Sequence, residues 1–175
     1  MKAFISRHAV SLTLMPVLAI MITIFCFSAQ KGETSTQTSG HFVRWIVEQF
    51  FPHFDQLEEA EQQALRNSIS HVVRKTAHFI EYGALGFALL LHLWTVKRRT
   101  GLRFPKLLSQ LIGSAYAASD ELHQKLVSGR EAAVSDVLLD SAGVLFGILM
   151  MALLLYLCRK LAARRARQGR APDVS

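Results

Sequence analysis

At 175 residues the chain can make one compact domain or a few membrane helices, not a multi-domain machine. Hydrophobic residues make up 51% and charged residues 19%, which excludes a disordered or highly charged chain. Twenty Lys and Arg against thirteen Asp and Glu leave a net charge of +7, and where those charges fall matters more than their sum.

The first predicted element is a membrane span over 9–27, AVSLTLMPVLAIMITIFCF, which carries no charge. A helix of that length rises about 28 Å, close to the roughly 30 Å hydrocarbon core. Lys2 and Arg7 precede it, as they would in a secretory leader. The run exceeds a leader's apolar core, however, and Phe27-Ser28-Ala29 is a poor small-x-small cleavage site, so an uncleaved span is expected. Pro16 at its middle predicts a kink that neighbouring helices can tolerate.

A long connection over 28–75 follows. It opens on SAQKGETSTQTSG, a loop by composition. Then HFVRWIVEQFF places Phe42, Trp45, Ile46, Gln49 and Phe50 at helical spacing. This predicts a short amphipathic helix, either lying in the membrane interface or packed on its own protein. Pro52 ends it. Asp55 followed by Glu58 resembles a capping box opening a second helix, with an apolar stripe at Leu57, Ala60, Ala64, Leu65, Ile69, Val72 and Val73. That helix can run straight into the second span, 77–96, which ends near Trp94, a residue typical of the membrane boundary.

The third apolar run, 105–119, is short and holds Ser109, Gln110, Ser114 and Tyr116, so alone it reads equally as a buried helix or a re-entrant segment. The fourth, 134–158, is strongly apolar after Asp136 and Asp140. Cys26 and Cys158 lie in separate apolar runs and make neither a zinc spacing nor a disulfide framework.

Charge placement argues that the third run also crosses. Lys97, Arg98, Arg99, Arg103 and Lys106 fill the connection after the second span, and Arg159, Lys160, Arg164, Arg165, Arg167 and Arg170 fill the tail over 159–175. The positive-inside rule puts both groups in the cytoplasm with Lys2 and Arg7. Twelve of the thirteen acids fall in the other connections or the adjoining helix ends. The expectation is therefore an all-α fold: one domain over 1–175, a four-helix transmembrane bundle, a long outer loop carrying short amphipathic helices, and both termini inside. The basic tail suits anionic inner-leaflet lipid. It is short and lacks interleaved aromatics, so nucleic acid is not expected as a partner.

With that topology three distant segments bring polar groups to one level, the outer boundary. Arg74, Lys75, His78, Glu81 and Tyr82 begin the second span. Asp120, Glu121, His123 and Gln124 follow the third, and Arg130, Glu131, Asp136 and Asp140 lead into the fourth. His78, Glu81 and Tyr82 share a helix face, as do Asp136 and Asp140. Gly143 and Gly147 continue the aspartate stripe and let another backbone approach; Gly113 and Ala117 offer the same in the third run. Such groups are tolerable in a bilayer only when paired or hydrated. Arg74, Lys75 and Arg130 are the candidate cations for Glu81, Asp120, Asp136 and Asp140.

In the strings FSAQKGETSTQTS, RKTAHFIEYGALG and SDELHQKLVSGREAAVSDVLLDSAG the chain resembles the VanZ-like membrane proteins, in the family's order and spacing. The motif residues carry over to Lys75, His78, Tyr82, Asp120, Glu121, Gln124, Gly129, Arg130 and Asp136. Leu126 stands where the family often has Phe, Ser128 where Pro is frequent, and Asp140 where many members carry an amide. The resemblance implies a four-helix integral membrane protein of the bacterial plasma membrane, associated with tolerance to teicoplanin-type glycopeptide antibiotics.

The residues leave several readings open. One is an enzyme acting on a lipid or lipid-linked envelope precursor, with His78 as base, Glu81 or Asp120 orienting it, and Lys75 and Arg130 clamping a phosphate. Glu121 and Asp136 are further acid–base candidates. Asp120, Asp136, Asp140 and His123 could hold a divalent metal, although no cofactor is required. A second is binding without turnover, with Lys75, Tyr82, His123, Gln124, Arg130 and Asp140 around an amphiphile's head group. A third is a structural polar network. A proton path is disfavoured because the inner halves of the spans lack titratable groups apart from His92.

Overall fold

The structure, a computed structural model, describes residues 2–29, 32–125 and 133–168, with side chains for 8–29, 40–125 and 133–166. Five α-helices make up the fold: α1 (Lys2–Ser28), α2 (Gly32–Phe50), α3 (Glu59–Thr100), α4 (Pro105–Gln124) and α5 (Val134–Gln168). A 3₁₀ turn at Phe54–Gln56 joins α2 to α3. No strand occurs among the described residues.

Three helices are long and apolar enough to cross a membrane, within His8–Ser28, Glu59–Thr100 and Val134–Ala166. Their outer faces carry large apolar side chains that water would not tolerate in such number, among them Leu12, Met15, Ile22, Leu149 and Leu153. The chain is an all-helical membrane protein. α1 runs unbroken through Pro16, and Thr13, just before it, turns its hydroxyl back onto the Ala9 and Val10 carbonyls.

α4 is not among them, because Ser109, Gln110, Ser114, Asp120, Glu121 and Gln124 lower its hydropathy, so the described residues hold three of the four expected spans. Ser109, Asp120, Glu121 and Gln124 are buried, whereas Leu107, Leu111 and Leu122 are exposed.

Contacts along the helices set their directions. Lys75 meets Asp136, the Phe79 carbonyl faces Gly143, the Gly83 carbonyl faces Gly147, and Trp94 meets Arg159, so α3 and α5 run the same way. Glu121 meets Ala133 while Gln110 reaches the Ser141 carbonyl, so α4 runs against α5. Tyr116 bonds the Met21 carbonyl and Asp120 meets Ser28, so α1 runs with α4. The core fills the space between these four helices with Val17, Ile24, Tyr82, Leu85, Leu90, Ala117, Val144 and Ile148.

The α3–α5 contact is backbone against backbone. A β-carbon at Gly147 would collide with the Gly83 carbonyl oxygen, one at Gly86 with that of Val144, and one at Gly143 would sit 2.6 Å from that of Phe79. The Gly143/Gly147 expectation therefore holds, with α3 as the approaching partner. Gly113 instead makes room for the Val144 side chain.

Two local expectations are corrected. Residues 32–40 are not a loop but the first turns of α2. Ser, Thr and Gln each cost under about 0.7 kcal/mol in a helix, and a nucleus formed downstream propagates through them. The capping box at the start of α3 uses Glu58 and Glu61, not Asp55, which lies in the 3₁₀ turn. The apolar stripe in the first half of α3 has Leu65, Ile69 and Val73 half-buried and Val72 exposed, α2 packs against α3, and the helix runs unbroken into the second span as expected. Phe42, Trp45 and Phe50 of α2 stack on one another and stay exposed, so α2 packs on its own protein while its aromatic face points outward.

Replacing Gly86 or Gly147 by Ala is expected to lower stability by about 1–3 kcal/mol, because backbone must move to admit the new atom. Gly83→Ala, whose β-carbon would find its nearest neighbour at 3.5 Å, is expected to be neutral. Thermal unfolding of the three variants in detergent checks the contrast.

Candidate functional site

The polar groups gather at the end of the bundle where α1 and α4 finish and α5 begins, beside the middle of α3. They form two adjoining arrangements, one closed and one open.

The closed arrangement centres on Asp120. Its carboxylate is buried against α1, where Oδ2 accepts from the Ser28 hydroxyl at 2.7 Å and from the Gln124 amide at 3.0 Å. Gln124 also donates to Ser28 at 3.3 Å, closing a triangle between α1 and α4. Asp120 and Gln124 are one helical turn apart, so α4 presents both on the face that meets the end of α1. The other carboxylate oxygen, Oδ1, has no hydrogen-bond partner among the described residues. The Tyr82 hydroxyl, fully buried and likewise unpartnered there, lies toward the same carboxylate. Tyr116 sits 6.2 Å from Tyr82, ring to ring, and spends its own hydroxyl on Met21.

The open arrangement is a cleft of about 290 Å³ between α3, α4 and the start of α5. His71, Arg74, Lys75 and His78 line one side, Asp136, Leu139 and Asp140 another, and Glu121 and Gln124 a third. Lys75 Nζ lies 2.8 Å from Asp136 Oδ1. Both are about one-third exposed, so the pair contributes at most about 1 kcal/mol and can open to a ligand. His78 Nδ1 stands 3.7 Å from Asp140 Oδ2, an ion pair whenever the imidazole is protonated. Asp140 is almost fully buried and His78 largely so. Glu121 accepts the Ala133 backbone N–H at 2.8 Å, which ties the end of α4 to the start of α5.

The expected residues are therefore divided. Lys75, His78, Glu121, Gln124, Asp136 and Asp140 share the cleft. Asp120 and Tyr82 belong to the closed cluster behind it, and Glu81 is not among the cleft walls. The partner closest to His78 is Asp140, not Glu81 or Asp120, because residues 78 and 140 fall at one level of the parallel α3–α5 pair. His123 stacks on Phe25 of α1 at 4.7 Å, turned from the aspartates. The four-residue metal set drawn from Asp120, Asp136, Asp140 and His123 is thus not assembled, and no other metal-holding group of three occurs among the described residues. Gly129, Arg130 and Glu131 lie outside the described residues.

Ser28 and His71 are site residues that chemistry alone did not single out. The sequence signals for Ser28 were its place in the string FSAQKGETSTQTS and its position, a hydroxyl at the first polar step after an uncharged run. Arg74, read only as a candidate cation, lines the cleft and lies 3.4 Å from His71.

A helical membrane protein with a buried carboxylate cluster and an open, mixed-charge cleft at one end is the class these features define. The VanZ/LLP1 family model matches residues 13–156, and the chain belongs to that family. No curated protein and no solved structure matches it.

Two substitutions separate satisfied from unsatisfied groups. Ser28→Ala strips a donor from a buried carboxylate and is expected to cost about 1–3 kcal/mol. Tyr82→Phe removes a hydroxyl that lies toward Asp120 but has no hydrogen-bond partner within bonding distance among the described residues, and is expected to lower the melting temperature less than Ser28→Ala. Unfolding of both in one detergent decides, and a melting temperature for Tyr82→Phe as low as that of Ser28→Ala would contradict this assignment.

Proposed function

We propose that the cleft receives the polar head group of an amphiphile at the outer face of the plasma membrane, and that its occupancy underlies tolerance to glycopeptide antibiotics. The observation that carries this reading is a solvent-open cleft walled by both cations and carboxylates, set at the end of a lipid-exposed bundle. Arg74 and Lys75 suit a phosphate, and Glu121, Asp136 and Asp140 suit hydroxyl or amino groups. Family membership supplies the link to glycopeptides, and a change in what the envelope surface presents is the means.

The topology belongs to the same proposal. α3 and α5 run in one direction, so a chain in which both cross must return between them, and α4 is the helix available. Twenty residues of helix rise about 30 Å, enough for that crossing. Four spans place both termini in the cytoplasm with the Arg-rich tail, and the cleft outside. Membrane lipid and an envelope precursor are then the partners. With Cys26 and Cys158 replaced by Ser, a membrane-impermeant maleimide on intact cells is expected to label Gln56→Cys and spare Ala163→Cys. The reverse pattern would overturn the orientation.

A second reading, catalysis, draws on one pair. His78 beside Asp140 in the cleft wall is a histidine oriented by a carboxylate, the arrangement of a general base. The experiment that tests both uses purified protein in nanodiscs, followed by mass spectrometry of retained lipid and of products. Lys75→Ala and Asp136→Asn are expected to fold normally, lose retained lipid and abolish glycopeptide tolerance in cells. Normal retention and tolerance in both would refute the binding reading. A new lipid product that disappears in His78→Ala would establish the enzyme.

A further inference from the structure

The cleft is the top of a longer track. Its walls His71, Lys75 and Leu139 continue into a second depression of about 340 Å³, which ends at Phe79. From Phe79 a groove of about 510 Å³ runs to Leu91 along α3, closed by Gly147 and Met150 of α5 and by Pro16 and Ile20 of α1. Twelve residues of α3 separate Phe79 from Leu91, which is about 18 Å of helix. That is slightly more than one leaflet of a roughly 30 Å hydrocarbon core. The track is polar at its top and apolar below, and it lies on the bundle's outer surface, where lipid has access.

The geometry points to a glycerophospholipid as the occupant: one acyl chain laid in the α1–α3–α5 groove, the head group in the cleft. This rests on the proposed reading of the cleft as a head-group site and names the class of ligand it takes. The length selects an acyl chain, because a chain much longer than one leaflet would overrun the groove beyond Leu91. The head is zwitterionic, a phosphate with a primary amine. Arg74 and Lys75 answer the phosphate, and Glu121, Asp136 and Asp140 answer the ammonium, whereas a purely anionic head would leave those carboxylates facing like charge.

Bilayer chains are as apolar as the groove, so no hydrophobic force draws a chain from lipid into it. Selectivity comes from close packing on the small groove floor together with the head contacts. Both halves of the track are therefore needed, and each can be removed separately. Ala84 lines the groove and is exposed, so a larger side chain there fills the groove without entering the core.

The test uses the full chain in nanodiscs with phosphatidylethanolamine carrying a diazirine in one acyl chain. Photolabel is expected in the peptides holding Phe79–Leu91 and Phe146–Met150. It is expected to fall about tenfold in Ala84→Trp, the equivalent of about 1.4 kcal/mol. Ala84→Leu serves as the milder filling should the Trp variant fold poorly. Phosphatidylglycerol with the same chain is expected to label more weakly. Label spread over the outward faces of α1 and α5, or unchanged when Ala84 is enlarged, would overturn the groove even if Lys75→Ala still abolished lipid retention. Equal labelling by both lipids would overturn the zwitterionic head. Groove labelling that survives Lys75→Ala and Asp136→Asn undiminished would instead remove the head-group reading of the cleft and leave a tail site alone.

Discussion

The close approach of α3 and α5 backbones is the constraint from which the rest of this protein follows. Gly86, Gly143 and Gly147 have no side chain to hold the helices apart, and the carbonyls of Val144, Phe79 and Gly83 occupy the space. Contact at three levels sets the register of two long helices as one side-chain contact could not. Once that register is set, Lys75 meets Asp136 and His78 meets Asp140 one turn deeper. At the far end Arg159 lands over Trp94, and Lys97 lies on the same ring. The ion pairs report the alignment; they are too exposed, or too loose at 3.7 Å, to impose it.

The parallel sense of that pair also governs the remaining helices. α4 packs against both α3 and α5 and meets the end of α1 through Asp120. A carboxylate buried this deeply is normally paired with a cation, and among the described residues Asp120 has two neutral donors. Hydrogen bonds from Ser28 and Gln124 satisfy one oxygen without bringing a second charge into the bundle. The arrangement suits a low-dielectric end of a membrane protein, where an uncompensated lysine would be costlier than a hydroxyl. It keeps α1, which among the described residues otherwise buries Val17 and Ile24, attached to the site.

Closed cluster and open cleft have different physical characters although they share Gln124. The cluster is buried and holds helices together. The cleft opens beside the partly exposed Lys75–Asp136 pair, which is weak enough for a ligand to replace. The proposed function uses the second for that reason, with the apolar groove below Phe79 as its proposed extension.

What the sequence determined by itself was set by composition and period. Four apolar runs read as spans, and three of them are long and apolar enough to cross a membrane; the strings around His78, Asp120 and Asp136 carried the family. Small residues at Gly143 and Gly147 marked a close helix contact, because only a missing side chain permits one. The partners needed the tertiary structure. Asp140 and not Glu81 stands beside His78, Ser28 donates to Asp120, and His123 turns to Phe25. Residues 32–40 joined α2 although their composition read as loop, and α4 hid its polar side within the bundle. A helical period places side chains on a face of their own helix. Which faces meet, and at which level, is decided only when packing brings the helices together, since residues up to 96 positions apart become neighbours there.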